Sequence, residues 1–525
     1  MKRPAALCLL LFYNIALFGQ TIGAPGTTSF RDTLELIAAE HVRYEDFGAR
    51  GDGQANDLAA VVAAHAFANA HDLPVRCPDR ATYYLGGGEQ TAVIQTDTDF
   101  GTATFLIDDT EVADRTAAVF EVRSAHQPTE LPPVTRLRRG QETVAISVSG
   151  PHLIAVSDST VRHYIRYGLN QDNGSPQTDI FVVDEHGRVD ADAPIVWDFD
   201  RITGMTALPI DTSVLRVTGG RFVTIANREE SAYNYYRRNL AVRRSNVVID
   251  GLEHRIQGEG ETGAPYGGFL DIRDCAYVTV RNTVLTGHKT YQTIGSAGKP
   301  VSMGSYDILV SRALNVSFIN CRQTNDIDDR SYWGIMGSNY GKNLLFDSCT
   351  LSRFDAHKGV ANATIRNSTL GHMGINAIGS GTLLVENSTV RSRSFVNLRS
   401  DYGSTWRGEI VIRNCTYAPT ADPGSVVLIG GANTGGHDFG YTCYMPEQII
   451  IEGLHIDDFD YPADYPGPAI FADFNSGWTS PDFTPEFPYI VTERVILEEV
   501  TMASNKKLRV SSNPVMFGEV EIIVR

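Results

Sequence analysis

Leu345-Phe346-Asp347-Ser348-Cys349-Thr350-Leu351, Thr364-Ile365-Arg366-Asn367-Ser368-Thr369-Leu370 and Leu384-Val385-Glu386-Asn387-Ser388-Thr389-Val390 are three copies of one pattern. Ser348, Asn367 and Asn387 fall 19 and 20 residues apart. Short β-type runs that return at such a period build a solenoid, because each unit buries its apolar face only against the next. Between the runs stand His357, Lys358, His372 and Asn376, polar residues that packing does not require.

Outward from this stretch the pattern recurs with longer spacings. Val247–Gly251, Val278–Asn282 and Val316–Cys321 precede it; Val411–Cys415, Ile449–Gly453 and Val495–Glu499, read as the last coil, follow. The bend residues Asp250, Asn282, Asn320 and Ser348 are separated by 32, 38 and 28 residues, so loops are inserted on the earlier coils, and such loops gather on one side of a solenoid. Asn, Asp or Gly at each bend suits left-handed backbone, which accounts for the apparent glycosylation sequons at Asn367, Asn387 and Asn414. The expected class is all-β, a parallel β-helix.

Length and composition agree. The chain has 525 residues, 48 of them Gly, and little helical periodicity. Residues 1–24 read as a signal peptide, with Met1-Lys2-Arg3 ahead of an apolar run from Ala5 to Phe18. The expected location is therefore secreted or periplasmic, and no other run is long enough to span a bilayer. Six cysteines remain beyond Cys8, and their spacing matches no zinc site. Cys321, Cys349 and Cys415 share one position in the repeat; Cys321 and Cys349 are close enough to be bridged, whereas Cys415 stands about 14 Å above Cys349 at β spacing. The net charge of −17 argues against nucleic acid as a partner. Yet residues 281–410 hold 14 Arg and Lys against 9 Asp and Glu, a local +5 that leaves −22 for the rest. A basic wall on an acidic protein suits an anionic substrate.

Near the start, "EDFGARGDGQANDLAAVVAAHAFANA" (residues 45–70) places Asp57 where it can cap a helix with Leu58, Val61, Val62 and Ala66 on its apolar face, and His65 on its surface. This run resembles the N-terminal entry of the pectate-lyase-like superfamily of right-handed parallel β-helices, in which a Gly-Asp-Gly turn and an amphipathic helix cap the solenoid. The likeness speaks to fold more than to function, since the superfamily holds lyases, hydrolases and phage tailspikes. The expected organisation is residues 25–105 as cap and first coils, 106–219 as a β-rich insertion, and 220–525 as the β-helix with its C-terminal coils. In the insertion, Asp184–Val189 reads as a hairpin turn, and alternation puts Arg162, Tyr164 and Arg166 on one face, where they could meet a sugar acid.

Registering each coil on its bend residue exposes a polar ladder. Asn282 is followed by His288, Lys289 and Tyr291; Asn320 by Asn325, Asp326, Asp328, Asp329 and Arg330; Ser348 by Arg353, Asp355, His357 and Lys358. Asn367 leads to His372 and Asn376, and Asn387 to Arg393, Asn397 and, just beyond, Arg399. Equal offsets in a parallel β-helix stack about 4.8 Å apart, so these residues form one face. β-Elimination needs a group to neutralise a uronate carboxylate, a base for the adjacent proton and an acid for the leaving oxygen. His357 or His372 is assigned as base, with Lys358 beside them, and Tyr291 or Tyr340 as acid. Arg353, Arg330, Asn325 or Asn376 would hold the carboxylate. His288, Lys289, Arg393, Asn397 and Arg399 complete the substrate contacts.

Residues 334–387, "GIMGSNYGKNLLFDSCTLSRFDAHKGVANATIRNSTLGHMGINAIGSGTLLVEN", also resemble β-helical bacterial lyases that act on glycosaminoglycans such as chondroitin sulfate. The resemblance implies an endo-acting uronate lyase; the expected partner is an anionic polysaccharide, and the expected state is a monomer. A hydrolase using paired Asp is the alternative, drawing on Asp326, Asp328, Asp329 and Asp355, although the Gly-His-Gly motif of polygalacturonases is replaced by Leu370-Gly371-His372-Met373. A non-catalytic carbohydrate-binding solenoid is third. No cofactor is expected; a calcium-dependent variant, as in some pectate lyases, would put the ion on Asp326, Asp328 and Asp329.

Overall fold

The computed structural model describes residues 30–525 other than Pro133. The signal-peptide reading of residues 1–24 therefore falls outside the described residues. Among the described residues no helix is long and apolar enough to cross a membrane.

The three repeats that open the sequence become three adjacent coils of a parallel β-helix. Leu344 to Asp347 pair with Ala363 to Arg366, which pair in turn with Leu383 to Glu386. Each coil contributes to three walls. On the second wall, Phe318, Phe346, Ile365, Val385, Ile412, Ile451 and Leu497 lie in register and buried, an apolar column along the axis. The third wall is short: Leu351, Leu370, Val390, Tyr417 and Ile456 stack there. The first wall stacks Phe354, Ile375, Val396, Ile429 and Phe471 inward. Alternation then sends Asp355, Asn376 and Asn397 outward, in register with one another.

The bends are left-handed as expected, with φ of 52° at Asn282, 53° at Asn320, 57° at Ser348, 52° at Asn367 and 48° at Asn387. Asparagine serves there twice over, because its side chain also bonds the next coil: Asn320 Nδ2 donates to Asn282 Oδ1 at 2.8 Å. A second ladder at the opposite corner runs from Asn362 to Asn343 to Asn315. Cys321, Cys349 and Cys415, each just after a bend of the first corner, are buried free thiols. A further strand, Glu521–Val524, pairs with Arg494–Glu498, so the coil taken as last has another beyond it.

The helix Leu58–His71 lies at the N-terminal end, with Asp57 at its N-cap position. The Asp57 carboxylate does not cap the helix; it accepts the amides of Arg50 (2.7 Å) and Gly51 (3.2 Å), closing the Gly-Asp-Gly turn. His65 is not on the surface. It is fully buried against Phe120 and bonds Tyr44 Oη at 2.8 Å, and burial lowers its pKa to about 3.

The insertion is narrower than residues 106–219. The strands Thr98–Asp108 and Phe120–Arg123 pair in parallel with Leu215–Ile225 and Leu240–Arg243 and are solenoid coils. Residues such as Asp99 and Thr218 are partners across 119 positions, a separation that hides the period. Between them, four antiparallel strands form a separate sheet in the order Thr129–Glu130, Gly204–Pro209, His152–His163, Ser175–Val183. One face packs Ile154, Val156 and Phe181 against Phe199 and Val144. The other sets Leu153 and Ile180 on Ala276 and Leu314 of the solenoid. A buried ion pair, Lys342 Nζ to Asp179 Oδ1 at 2.8 Å, joins the two. The Asp184 turn forms, with Gly187 N donating to Asp184 O. The expected Arg162–Tyr164–Arg166 face does not, because the strand ends at His163 and Tyr164 turns left-handed (φ 57°) into the interior.

Candidate active site

The outward residues of the first wall are of the kind that a bare solenoid surface would expose, yet Arg353 and Asp355 have side chains only 2% and 1% exposed. They begin a row of alternating charge. Arg353 Nη2 is 2.8 Å from Asp355 Oδ1, and Arg399 Nη1 approaches the same oxygen at 3.9 Å. Arg399 turns its other edge to Asp401 as a fork, with Nε to Oδ1 at 3.1 Å and Nη2 to Oδ2 at 2.7 Å. Arg166, from the insertion, closes the row with Nε 3.0 Å from Asp401 Oδ2. Beside it the Tyr402 ring carries three cations over it: Lys358 at 5.1 Å, Arg166 at 5.6 Å and Arg399 at 5.9 Å from its centroid.

His357 stands at the centre of this wall, its ring 5.1 Å from that of Tyr402. Its backbone amide bonds Ser338 Oγ, and Nδ1 faces the Asn339 Oδ1 acceptor at 3.0 Å. Nδ1 therefore carries the proton, and the Nε2 lone pair is buried without a partner. Arg353 Nε and Nη1 and both Asp355 oxygens are likewise buried and lack an aligned hydrogen bond. Buried polar groups in folded proteins are almost always paired, so several orphans on one strand mark a place built for something other than packing.

The charges are poised apart. Burial, opposed by Arg353 and Arg399, raises the Asp355 carboxyl above its ordinary value. Burial also pushes Asp401 up, but Arg399 and Arg166 overrule it and the net shift is down. His357 is held well below 6.5, first by burial and then by the charges of Arg399, Lys358, Arg353 and Arg166. Burial lowers the Lys358 ammonium.

The structure thus joins Arg353, His357, Lys358, Asn376, Asn397 and Arg399 on one wall; Asn397 Nδ2 donates to Asn376 Oδ1 at 2.8 Å. It puts others at the corner between the third and first walls. His288 is buried between Glu259 (Nδ1 to Oε1, 3.3 Å) and Asp307 (Nε2 to Oδ1, 3.3 Å), and His254 Nδ1 reaches the same Asp307 oxygen at 2.7 Å. Lys289 extends over the Tyr332 ring at 4.8 Å, and buried Tyr291 lies beside Gly263. Asn325 Oδ1 accepts the amide of Gly287 at 2.9 Å, a stitch between coils. His372 bonds Ile327 O through both its backbone amide and Nδ1. Arg330 and Arg393 are exposed, and the Tyr340 hydroxyl is buried without a partner. The ladder splits because the coils differ in length: residues 324–333 form a corner loop before Met336, whereas after Ser348 the chain reaches the first wall by Arg353.

Asp401, Tyr402 and Arg166 are the members of the wall that equal offsets do not reveal. Asp401 and Tyr402 sit in a 3-10 turn, Ser400–Tyr402, ended by Gly403 at φ 83°, and Arg166 arrives from the insertion. Asp326, Asp328 and Asp329 each have a partner of their own. Asp326 Oδ1 accepts the Asp328 amide, Asp328 pairs with Arg391 at 3.1 Å, and Asp329 Oδ1 accepts the Ser331 amide. Among the described residues no group of three or more His, Cys, Asp or Glu could hold a metal ion.

No family model matches the chain. It is 24% identical over 173 residues to a capsule KL64-specific depolymerase of a Klebsiella phage, a match over 28% of this chain that spans only 17% of that relative's length. Among solved structures, the gp54 tailspike of Acinetobacter baumannii bacteriophage AP22, in complex with A. baumannii capsular saccharide, gives a TM-score of 0.55 at 9% identity, covering 93% of this chain and 80% of that one. The Pseudomonas phage phi297 tailspike gp61 gives 0.50 at 14% identity, covering 88% and 80%. These likenesses are of fold: tailspike-type parallel β-helices share this architecture.

Proposed function

We propose that this chain is a polysaccharide depolymerase acting outside the cell on an anionic, uronic-acid-containing polysaccharide by β-elimination, with its active site on the first wall around Arg353, His357, Lys358 and Arg399. The observation that carries the reading is His357, whose Nε2 lone pair is buried, unpartnered and surrounded by cations. In the proposed step Arg399 and Arg353 offset the negative charge that builds on the substrate carboxylate. His357 Nε2 takes the proton from the carbon next to that carboxylate, the C–O bond to the leaving sugar breaks as the double bond forms, and Lys358 protonates the departing oxygen. An anion bound among the four cations would offset the charges that depress His357 and so raise its basicity when substrate is present. Tyr291 and Tyr340, the expected acids, are replaced in this scheme because Tyr291 lies at the corner and Tyr340 lines the cleft of Ser175 and Arg312 beneath the inserted sheet.

The likeness to capsule-directed phage proteins supports a polysaccharide as ligand and adds acidic bacterial capsules to the substrates worth trying beside glycosaminoglycans such as chondroitin sulfate. A second reading, hydrolysis, has its own support in Asp355 and Asp401, whose carboxyls are driven in opposite directions as an acid and base pair requires. The deciding experiment incubates the chain with chondroitin sulfate, hyaluronan, alginate, pectate and an acidic Klebsiella-type capsule. Ultraviolet absorbance of an unsaturated uronate supports elimination. New reducing ends without that absorbance support hydrolysis and sink elimination, and binding without any cleavage overturns the enzyme reading.

A further inference from the structure

Two loops meet at their tips beside the first wall, and one of them packs directly on it. One arm, residues 164–174, leaves the inserted sheet at Tyr164, which packs on Tyr340 and Tyr402. Arg166 pairs with Asp401 on this arm, and the Tyr167 amide donates to Asp401 O at 3.0 Å. Asp172, further along, acts electrostatically on both Lys358 and Tyr402. The other arm is the antiparallel hairpin of Tyr291–Ile294 with Pro300–Met303. It rises from the opposite corner, where Tyr291 lies by Gly263, and returns at Gly304 beside Trp333 and Tyr306.

The tips touch. Ala297 N donates to Leu169 O at 3.1 Å and Ser296 Oγ to Gln171 O at 2.7 Å, contacts between segments 125 or more residues apart in sequence. These bonds fall on main-chain carbonyls, and the large apolar side chains at the tips, Tyr167, Leu169 and Ile294, are exposed rather than packed into the seam. A seam of this kind is cheap to break, whereas the ladder beneath is held by register along whole strands. With the arms together, Asp355 is almost wholly out of reach of solvent, its oxygens lack an aligned hydrogen bond despite the ion pair with Arg353, and Arg353 Nε and Nη1 and His357 Nε2 are buried without a partner.

We propose that residues 164–174 and the hairpin Tyr291–Met303 form a clasp that parts to admit the interior of an anionic polysaccharide chain from the side and then closes over it, with Arg166 riding on one arm as the cation that completes the site on closure. This rests on the reading of the first wall as the active site. A long polymer offers few ends, so lateral entry beneath a roof requires the seam to open. Because Arg166 holds the Asp401 carboxylate and the Tyr167 amide its main-chain oxygen, opening that arm also removes a cation from Tyr402 and leaves the Asp401 carboxylate to Arg399 alone, which couples the charge of the site to closure.

Ser296 Oγ lies 2.7 Å from Gln171 O, so cysteines at these two exposed positions are near enough to be joined across the seam. The full-length Gln171→Cys, Ser296→Cys variant is compared oxidised and reduced. Initial cleavage of long chondroitin sulfate is expected to fall by at least about tenfold on oxidation and to return with dithiothreitol, while a hexasaccharide, which can enter from its end, is cut at an unchanged rate. Equal rates on the polymer in both forms, or failure of the pair to crosslink, overturns the clasp. Hydrogen exchange of the wild type gives a readout independent of cleavage. The amides of Tyr167 and Ala297 are expected to exchange at least about a hundredfold faster than that of Gly379 in the wall beneath, and equal protection overturns the clasp. Should no polyanion be cleaved by wild type or variant, the cleavage reading alone has failed, and exchange decides whether the arms open.

Discussion

Arg353 and Asp355 stand 2.8 Å apart, both buried, on the outer side of a strand, with Gly334 close against the Arg353 side chain. The carboxylate is shared with Arg399, so it compensates two guanidinium groups at once. Asp355→Ala should destabilise the fold by about 3–5 kcal/mol, because removing one partner leaves buried charge uncompensated. Asp355→Asn, which keeps the shape, should cost less. Urea midpoints measure both, and an unchanged midpoint for Asp355→Ala rejects the pairing as described.

His288 predicts a loss of stability in alkali. Burial pushes its imidazole down, but hydrogen bonds to Asp307 and Glu259 overrule that, and its pKa is raised from 6.5 to about 9. A raised folded pKa contributes stability that is fully present below the unfolded value and is lost as pH rises through the folded one. The contribution is on the order of 3 kcal/mol near neutrality. His288→Gln should therefore be less stable than wild type near pH 6, with the gap closing by about pH 10. A gap that is constant with pH would show that His288 is not protonated in the fold.

His357→Ala should slow cleavage by about 10²–10⁴-fold while leaving the circular dichroism spectrum unchanged. Asn339→Ala should slow it by less, since it only frees the tautomer that Asn339 selects. Full activity in His357→Ala rules this residue out as the base.

Gly379 tests the stacking of coils without touching the site chemistry. It pairs with Val360, and a β-carbon there would run into the Val360 carbonyl. Gly379→Ala should cost about 1–3 kcal/mol through overpacking. A melting temperature equal to that of wild type contradicts the close approach.

The solenoid was legible because its cause is local. Each coil repeats an alternating apolar run and a left-handed bend, and the register of Asn282, Asn320, Ser348, Asn367 and Asn387 follows from those residues alone. The limits of the insertion were not legible. Thr98–Asp108 finds its partner in Leu215–Ile225 across a whole antiparallel sheet, and no period survives such a gap. Likewise His65 reads as a surface residue from helical spacing, but the end of the solenoid and Tyr44 cover it.

The candidate site divides along the same line. Sequence by itself determined that Arg353, His357, Lys358, Asn376, Asn397 and Arg399 belong to one ladder, since equal offsets on stacked coils land on one wall. Only the tertiary structure decided that His288 and Tyr291 stand at a corner and that Asp401, Tyr402 and Arg166 join the wall. The same kind of long-range contact brings the 164–174 arm onto the wall and joins its tip to the hairpin Tyr291–Met303. The reason is physical: a repeat specifies what lies above and below a residue, whereas loops that cross a wall owe their position to contacts far away in the chain.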